Sequence, residues 1–259
     1  MPRSVLLISQ GGAELPSVAL VDTVLRYMPR NPSAILFDFD GVIVHSEPLH
    51  FEAFRAVAAD EKIDLTEEEY YRELIGFDDR GAFRHLFEKH KRPLEPKTML
   101  RVLTRKSEAV KRMIEERKYS ALPGVEEFVR GLWRRYPLAI CSGALREEIE
   151  AMLEGVNLRD CFSVIVAAED VTKGKPDPQG YMLAMKLLGE QHNKTFEPAN
   201  CLVIEDAPTV VASVRKVGFP VLAVATSYPK EKLAEANYIV SSLRPAEVRQ
   251  VFPQLKIVE

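Results

Sequence analysis

Six short runs rich in apolar and β-branched residues constrain this chain more than any other feature. They are Ala34 to Phe39, Leu138 to Cys141, Val164 to Ala167, Leu202 to Ile204, Val221 to Ala225 and Tyr238 to Val240. Each of the first four is followed by a helical pattern, and the stretch Pro208 to Val217 ahead of the fifth is helical as well. Strands that alternate with helices build a parallel sheet covered on both faces. The expected fold class is therefore α/β, a doubly wound parallel sheet, whose ligands bind outside the carboxyl ends of its strands.

About a hundred residues without a strand-like segment separate the first run from the second. Phe51, Phe54, Val57 and Ala58 recur at helical spacing, Thr66 with Glu69 reads as a capping box, and Leu74, Phe83, Leu86 and Phe87 continue the apolar period. A charged amphipathic helix is expected from Lys97 to Lys118. Residues 49–117 are thus an inserted α-helical cap, too long for a loop, and they follow the first strand directly, which places them over its carboxyl end. Residues 34–48 and 118–259 form the core. Residues 1–33 are an N-terminal extension, with Ser4 to Ser9 a candidate strand and Val18 to Tyr27 a candidate helix; no chemistry is visible there.

Charge excludes one class of partner. With 35 Lys and Arg against 38 Asp and Glu, there is no basic excess to neutralise a run of phosphates, so no nucleic acid partner is expected. Apolar stretches such as Val221 to Ala225 fall far short of the roughly 20 residues of a membrane span. Val5 to Ile8 is too short for a signal-peptide core, and Gly11, Gly12 and Glu14 follow it, so a cytoplasmic protein is expected, as a monomer or weak homodimer. Cys141, Cys161 and Cys201 are odd in number and set in or beside apolar runs, which fits small buried residues better than a disulfide set or a zinc site.

The chemistry sits where the runs end. Asp38 and Asp40 close the run AILFDFDG, and two carboxylates one residue apart serve one site only if the chain turns, which Gly41 permits. Ser142 and Gly143 follow Cys141, Glu169 and Asp170 follow Ala167 ahead of Lys173 to Pro178, and Glu205 with Asp206 follows Ile204. Carboxylates, a hydroxyl with a glycine, and lysines are the inventory for a phosphate and a divalent cation, and hard oxygen ligands suit Mg²⁺. Each feature alone has a plainer reading. Asp-Gly is a common turn, Ser142 could be a helix cap, Lys175 a surface lysine, and Glu205 with Asp206 an acidic first turn.

Taken together, the motifs FDFDG (37–41), CSG (141–143), GKPDP (174–178) and VIEDA (203–207) resemble those of the haloacid dehalogenase superfamily. The likeness is to its phosphatase and β-phosphoglucomutase-like branch with a helical cap, and it runs from about residue 34 to the end. The resemblance implies a Mg²⁺-dependent phosphatase acting on a small phosphorylated metabolite, a sugar phosphate or phosphoacid. Asp38 would be the nucleophile that becomes an aspartyl-phosphate, and Asp40 the general acid and base. Ser142, Gly143 and Lys175 would hold the phosphoryl group. Asp38, the Asp40 carbonyl and Asp206 would be the metal ligands, with Glu205 and Asp170 in supporting positions or on metal-bound water.

Other members of the superfamily fit less well. Its dehalogenases lack the second aspartate, so Asp40 argues against carbon–halogen chemistry. The mutases share His50, but their cap arginine falls on Asp79, with Arg80 one place late. Their lysine and asparagine after the second motif fall on Leu145 and Arg146. Those departures remove groups that would hold a second phosphate, which favours hydrolysis. The intact set Asp38, Asp40, Lys175 and Asp206 argues against a non-catalytic binding module. His45 stands where many relatives carry aspartate. In the cap, His50, Phe77, Asp78, Asp79 and Arg80 are candidates to face the site. Asp78 reads equally as a helix cap, and Arg80 is the stronger specificity candidate because the substrate brings negative charge.

Overall fold

The computed structural model describes residues 31–258 apart from Ile75, Gly76 and Asp78. The candidate strand and helix of the N-terminal extension, and Asp78, lie outside the described residues. Six strands, β1 (Ala34–Phe37), β4 (Leu138–Cys141), β5 (Val164–Val166), β6 (Cys201–Glu205), β7 (Val221–Val224) and β8 (Tyr238–Val240), form one sheet in the order β5-β4-β1-β6-β7-β8. All five pairings are parallel. The strands alternate across two apolar layers. Ile35, Phe37, Ile140 and Ile204 pack with Phe128, Leu132 and Ile149 on one face, and Leu36, Cys141 and Val203 pack with Tyr181, Ala184 and Val211 on the other. Burial on both faces is why these runs are continuously apolar rather than alternating.

The covering helices are α4 (Val125–Trp133), α5 (Arg146–Gly155), α6 (Gln179–His192), α7 (Pro208–Lys216) and α8 (Pro245–Val251). From β1 the chain moves outward through β4 to β5, then returns to lay β6 on the other side of β1. The switch point thus lies at β1 and β6, where an open α/β sheet leaves a crevice.

β1 is shorter than the apolar run, because the chain turns at Phe39. The Phe39 carbonyl accepts from the N–H groups of Ile43 and Val44, and Gly41 takes a left-handed φ of 77°. The turn leads into β2 (Val44–His45), which pairs antiparallel with β3 (Ser120–Ala121). The helical insertion therefore leaves and rejoins the core at adjacent positions. It contains α1 (Glu47–Asp60), α2 (Asp79–Lys89) and α3 (Pro96–Glu115), with a short turn at Glu67–Glu69 running into the π-helical segment Tyr70–Leu74. Thr66 Oγ1 accepts from the Glu69 N–H at 3.2 Å, one half of the expected capping box. Phe51, Phe54, Tyr70, Phe83, Leu86 and Val102 form a separate apolar core for this insertion.

All three cysteines are buried and unpaired. Among the described residues no helix is long and apolar enough to cross a membrane.

Candidate active site

The carboxyl ends of β1, β4 and β6 converge on the switch point. Asp38, the first residue after β1, keeps its N–H on the Ile204 carbonyl of β6 at 2.9 Å, so its position is fixed by the sheet itself. Glu205 ends β6 and Asp206 follows it. Asp38, Glu205 and Asp206 are buried, and each offers a carboxylate oxygen within 4.8 Å of the others. Lys175 reaches into this cluster from the loop before α6, with its Nζ 2.5 Å from Asp38 Oδ1 and 2.7 Å from Glu205 Oε1.

Glu205 is the hub of this arrangement, and its side chain is completely buried. Its Oε1 accepts from Lys175 and from the Tyr181 hydroxyl at 3.1 Å, and its Oε2 accepts from the Asp206 and Ala207 N–H groups, both at 2.8 Å. Both oxygens are thereby committed within the protein. Glu205 orients Lys175 and Asp206, rather than forming an acidic first helical turn: it sits in β6, and α7 begins only at Pro208.

Three carboxylates around one ammonium leave a surplus of negative charge away from water. Burial raises the Asp38 pKa well above the usual carboxylate range; Lys175 opposes this, while Glu205 and Asp206 reinforce it. Burial, followed by Glu205, pushes Asp206 up to about 7. Burial works against the Lys175 charge, but Asp38 and Glu205 outweigh it and its pKa is pushed up. A hard divalent cation fits such a site on charge and donor type. The groups with oxygens left to offer are Asp38 and Asp206. Asp206 is held by the Ser227 hydroxyl, and Thr226 donates to the Gly41 carbonyl at 2.5 Å.

Asp40 faces a different environment. It accepts from the Ser46 hydroxyl, and the Ser142 hydroxyl lies 3.4 Å from its Oδ2. Burial raises its pKa against the pull of Ser46, Lys175 and Ser142. Ser142 Oγ also accepts from the Ala144 N–H at 3.0 Å, and a side chain at Gly143 would meet only open space. Ser142 does not cap α5, whose N-terminal flank is Leu145.

Asp40 lines a cavity of about 440 Å³ between core and insertion, together with Gly143, His50, Phe77, Asp79 and Arg80. Every described residue that the sequence nominated in the cap is thus at this cavity. Lys106 and Glu148 line it too, and sequence reasoning missed both. Lys106 was detectable: Met99, Val102, Lys106, Ala109 and Val110 are all buried on α3, so a lysine interrupts the apolar stripe. Its Nζ lies 2.8 Å from Asp79 Oδ1 and 3.1 Å from His50 Nδ1. Burial, then the Lys106 charge, pushes His50 down to about 3, so the imidazole is neutral.

Asp170 lies outside the carboxylate cluster: Asp170 Oδ2 pairs with Arg146 at 2.5 Å and accepts from the Ala167 N–H at 2.8 Å, so it closes the turn after β5. Glu169 likewise accepts from the Arg146 N–H. Thr226 and Ser227 were also missed, although they follow β7 at the same end of the sheet.

The family model for haloacid dehalogenase-like hydrolases matches residues 35–224, which spans the switch point, the insertion and every residue of the cluster. The chain belongs to that family. A phosphorylated carbohydrates phosphatase of Thermotoga maritima is 28% identical over 226 residues, covering 86% of this chain and 99% of the relative. A fructose-1-phosphate phosphatase of Escherichia coli is 28% identical over 195 residues, 74% of this chain and 96% of the relative. The crystal structure of CbbY from Rhodobacter sphaeroides in complex with phosphate superposes with a TM-score of 0.73 at 22% identity, covering 87% of this chain and all of that one. That likeness is one of fold. This member of the haloacid dehalogenase-like hydrolases keeps the six-stranded parallel core with a helical insertion between β1 and β4.

Proposed function

We propose that this family member is a Mg²⁺-dependent phosphatase that hydrolyses a small phosphomonoester through an aspartyl-phosphate. The observation that carries the reading is the Asp38–Lys175 pair: a carboxylate at the switch point, fixed to the sheet by its backbone, with an ammonium 2.5 Å away. Relatives of similar length include phosphatases of phosphorylated carbohydrates, which supports the same class.

Asp38 attacks phosphorus and the P–O bond to the leaving alcohol breaks. Asp40, whose raised pKa favours the protonated form, gives its proton to the departing oxygen. Asp40 then takes a proton from the water that attacks the aspartyl-phosphate, releasing inorganic phosphate and restoring Asp38. Lys175 and the Ser142 hydroxyl hold the phosphoryl oxygens, supplying charge and a donor where the transition state spreads its negative charge. Asp38, Asp206 and the Asp40 carbonyl would hold Mg²⁺, which supplies the positive charge that lets a carboxylate approach a phosphate dianion. Glu205 keeps Lys175 and Asp206 in place.

The test is phosphate release from a panel of phosphomonoesters with and without Mg²⁺, beside the Asp38→Asn variant. Metal-dependent release that disappears in the variant is the expected result. Release that persists in the variant would refute the nucleophile assignment.

A further inference from the structure

The cavity that would receive the leaving group has an unusual charge arrangement. Its buried cation, Lys106, is 5% exposed and already paired with Asp79 at 2.8 Å. Its other nitrogen neighbour, His50, is neutral at ordinary pH and adds no positive charge. Glu148 brings a further carboxylate to the wall from α5. Arg80 is exposed on the first turn of α2. Among the described lining residues, the carboxylates of Asp79 and Glu148 therefore offset the two cations.

The same wall offers carbon surface. Phe77 is 53% exposed and Leu145 46% exposed, and both line the cavity. The Phe77 ring stacks on His85 with centroids 5.7 Å apart, which holds one aromatic face in position. An aromatic ring in a cavity wall that also carries carboxylate acceptors is a surface for the C–H face and hydroxyls of a carbohydrate-like group.

Resting on the hydrolase reading above, we propose that Asp79 and Glu148 are specificity residues that exclude a second anionic group. The substrate class is then the monophosphate ester of an uncharged polyhydroxy alcohol or sugar, not a bisphosphate or a phosphorylated carboxylic acid. A second phosphate or carboxylate entering the cavity would meet the carboxylates of Asp79 and Glu148, with the buried cation Lys106 already engaged by Asp79 and the other cation, Arg80, exposed to water that screens its charge. Hydroxyl groups meet no such repulsion and donate to the same carboxylates. Specificity here comes from repulsion of the wrong ligand as much as from attraction of the right one.

The experiment compares kcat/KM for glycerol 3-phosphate and fructose 1-phosphate with that for phosphoglycolate and fructose 1,6-bisphosphate, at saturating Mg²⁺. The wild-type protein is expected to favour the neutral-alcohol esters by about tenfold or more. Asp79→Asn, and separately Glu148→Gln, should each shift the ratio toward the anionic substrates by roughly tenfold. Because the ratio is taken within one preparation, a partly folded variant does not alter it. A wild-type preference for phosphoglycolate or the bisphosphate overturns the inference, as does a ratio unmoved in both variants; either leaves the hydrolase reading standing. No release from any ester overturns the hydrolase reading and the inference with it.

Discussion

Replacing Glu205 by glutamine tests the hub of the site with almost no change of shape. The carboxylate accepts four hydrogen bonds, two from backbone N–H groups and two from Lys175 and Tyr181. A glutamine has one accepting end and one donating end. If its NH₂ turns to the backbone, it confronts two N–H donors; if it turns the other way, it confronts an ammonium that cannot accept. In the first rotamer the Asp206 and Ala207 N–H groups lose their acceptor; in the second Lys175 loses its bond to residue 205 and retains only Asp38 and the Tyr181 oxygen. A hydrogen bond to a charged group contributes about 1.5–3 kcal/mol, and a buried donor left unmet costs about 1–3 kcal/mol more.

Removing one of the clustered negative charges offsets part of that loss, so the expected net destabilisation is about 3 kcal/mol. For a chain of this length that corresponds to a fall in Tm of roughly 6–12 °C. Urea unfolding of the Mg²⁺-free protein measures it, with Tyr181→Phe as the comparison, since that change removes one donor and is expected to cost about 1 kcal/mol. Mg²⁺-dependent turnover should fall at least about a hundredfold in Glu205→Gln, because Lys175 and Asp206 lose the group that orients them. A Glu205→Gln protein within about 1 kcal/mol of wild type, at unchanged m-value, would refute the claim that these four donors require a carboxylate.

Three further outcomes follow from the same geometry. Asp206 has a folded pKa of about 7, raised from 3.8, so its contribution to stability is present below 3.8 and is lost as pH rises through 7; Mg²⁺ must displace that proton. Saturating Mg²⁺ should therefore raise Tm by several degrees more at pH 8 than at pH 6, read by thermal melts, and equal increments would contradict the cation assignment. His50 has a folded pKa of about 3, lowered from 6.5, so its stabilising contribution is present above 6.5 and shrinks as pH falls toward 3. Wild type should lose up to about 2 kcal/mol relative to His50→Gln between pH 6.5 and pH 5. Gly41→Ala would place a Cβ 2.2 Å from Asp206 Oδ2 at a φ of 77°; about 1–2 kcal/mol of backbone strain is expected, with a larger loss of Mg²⁺-dependent turnover than of Tm.

The sequence by itself determined the sheet, because a strand buried on both faces must be apolar at every position, and Ala34 to Phe37, Leu138 to Cys141 and Cys201 to Ile204 have no other use for such runs. It also determined which end of the sheet carries chemistry, since the acidic and hydroxyl residues follow the strands. Lys106 left a trace in the periodicity of α3, whereas local sequence cannot distinguish a carboxylate that supports a metal site from one that closes a turn. Tertiary structure alone brought Arg146 to Asp170. It also decided the roles within the cluster: Lys175 and Tyr181, remote in the chain, are brought to Glu205, and Asp79 meets Lys106 across two helices of the insertion. The physical reason is the range of the forces involved. Apolar burial follows a local period that one strand or helix displays alone, but the partner of a buried charge is set by distances between residues remote in the chain.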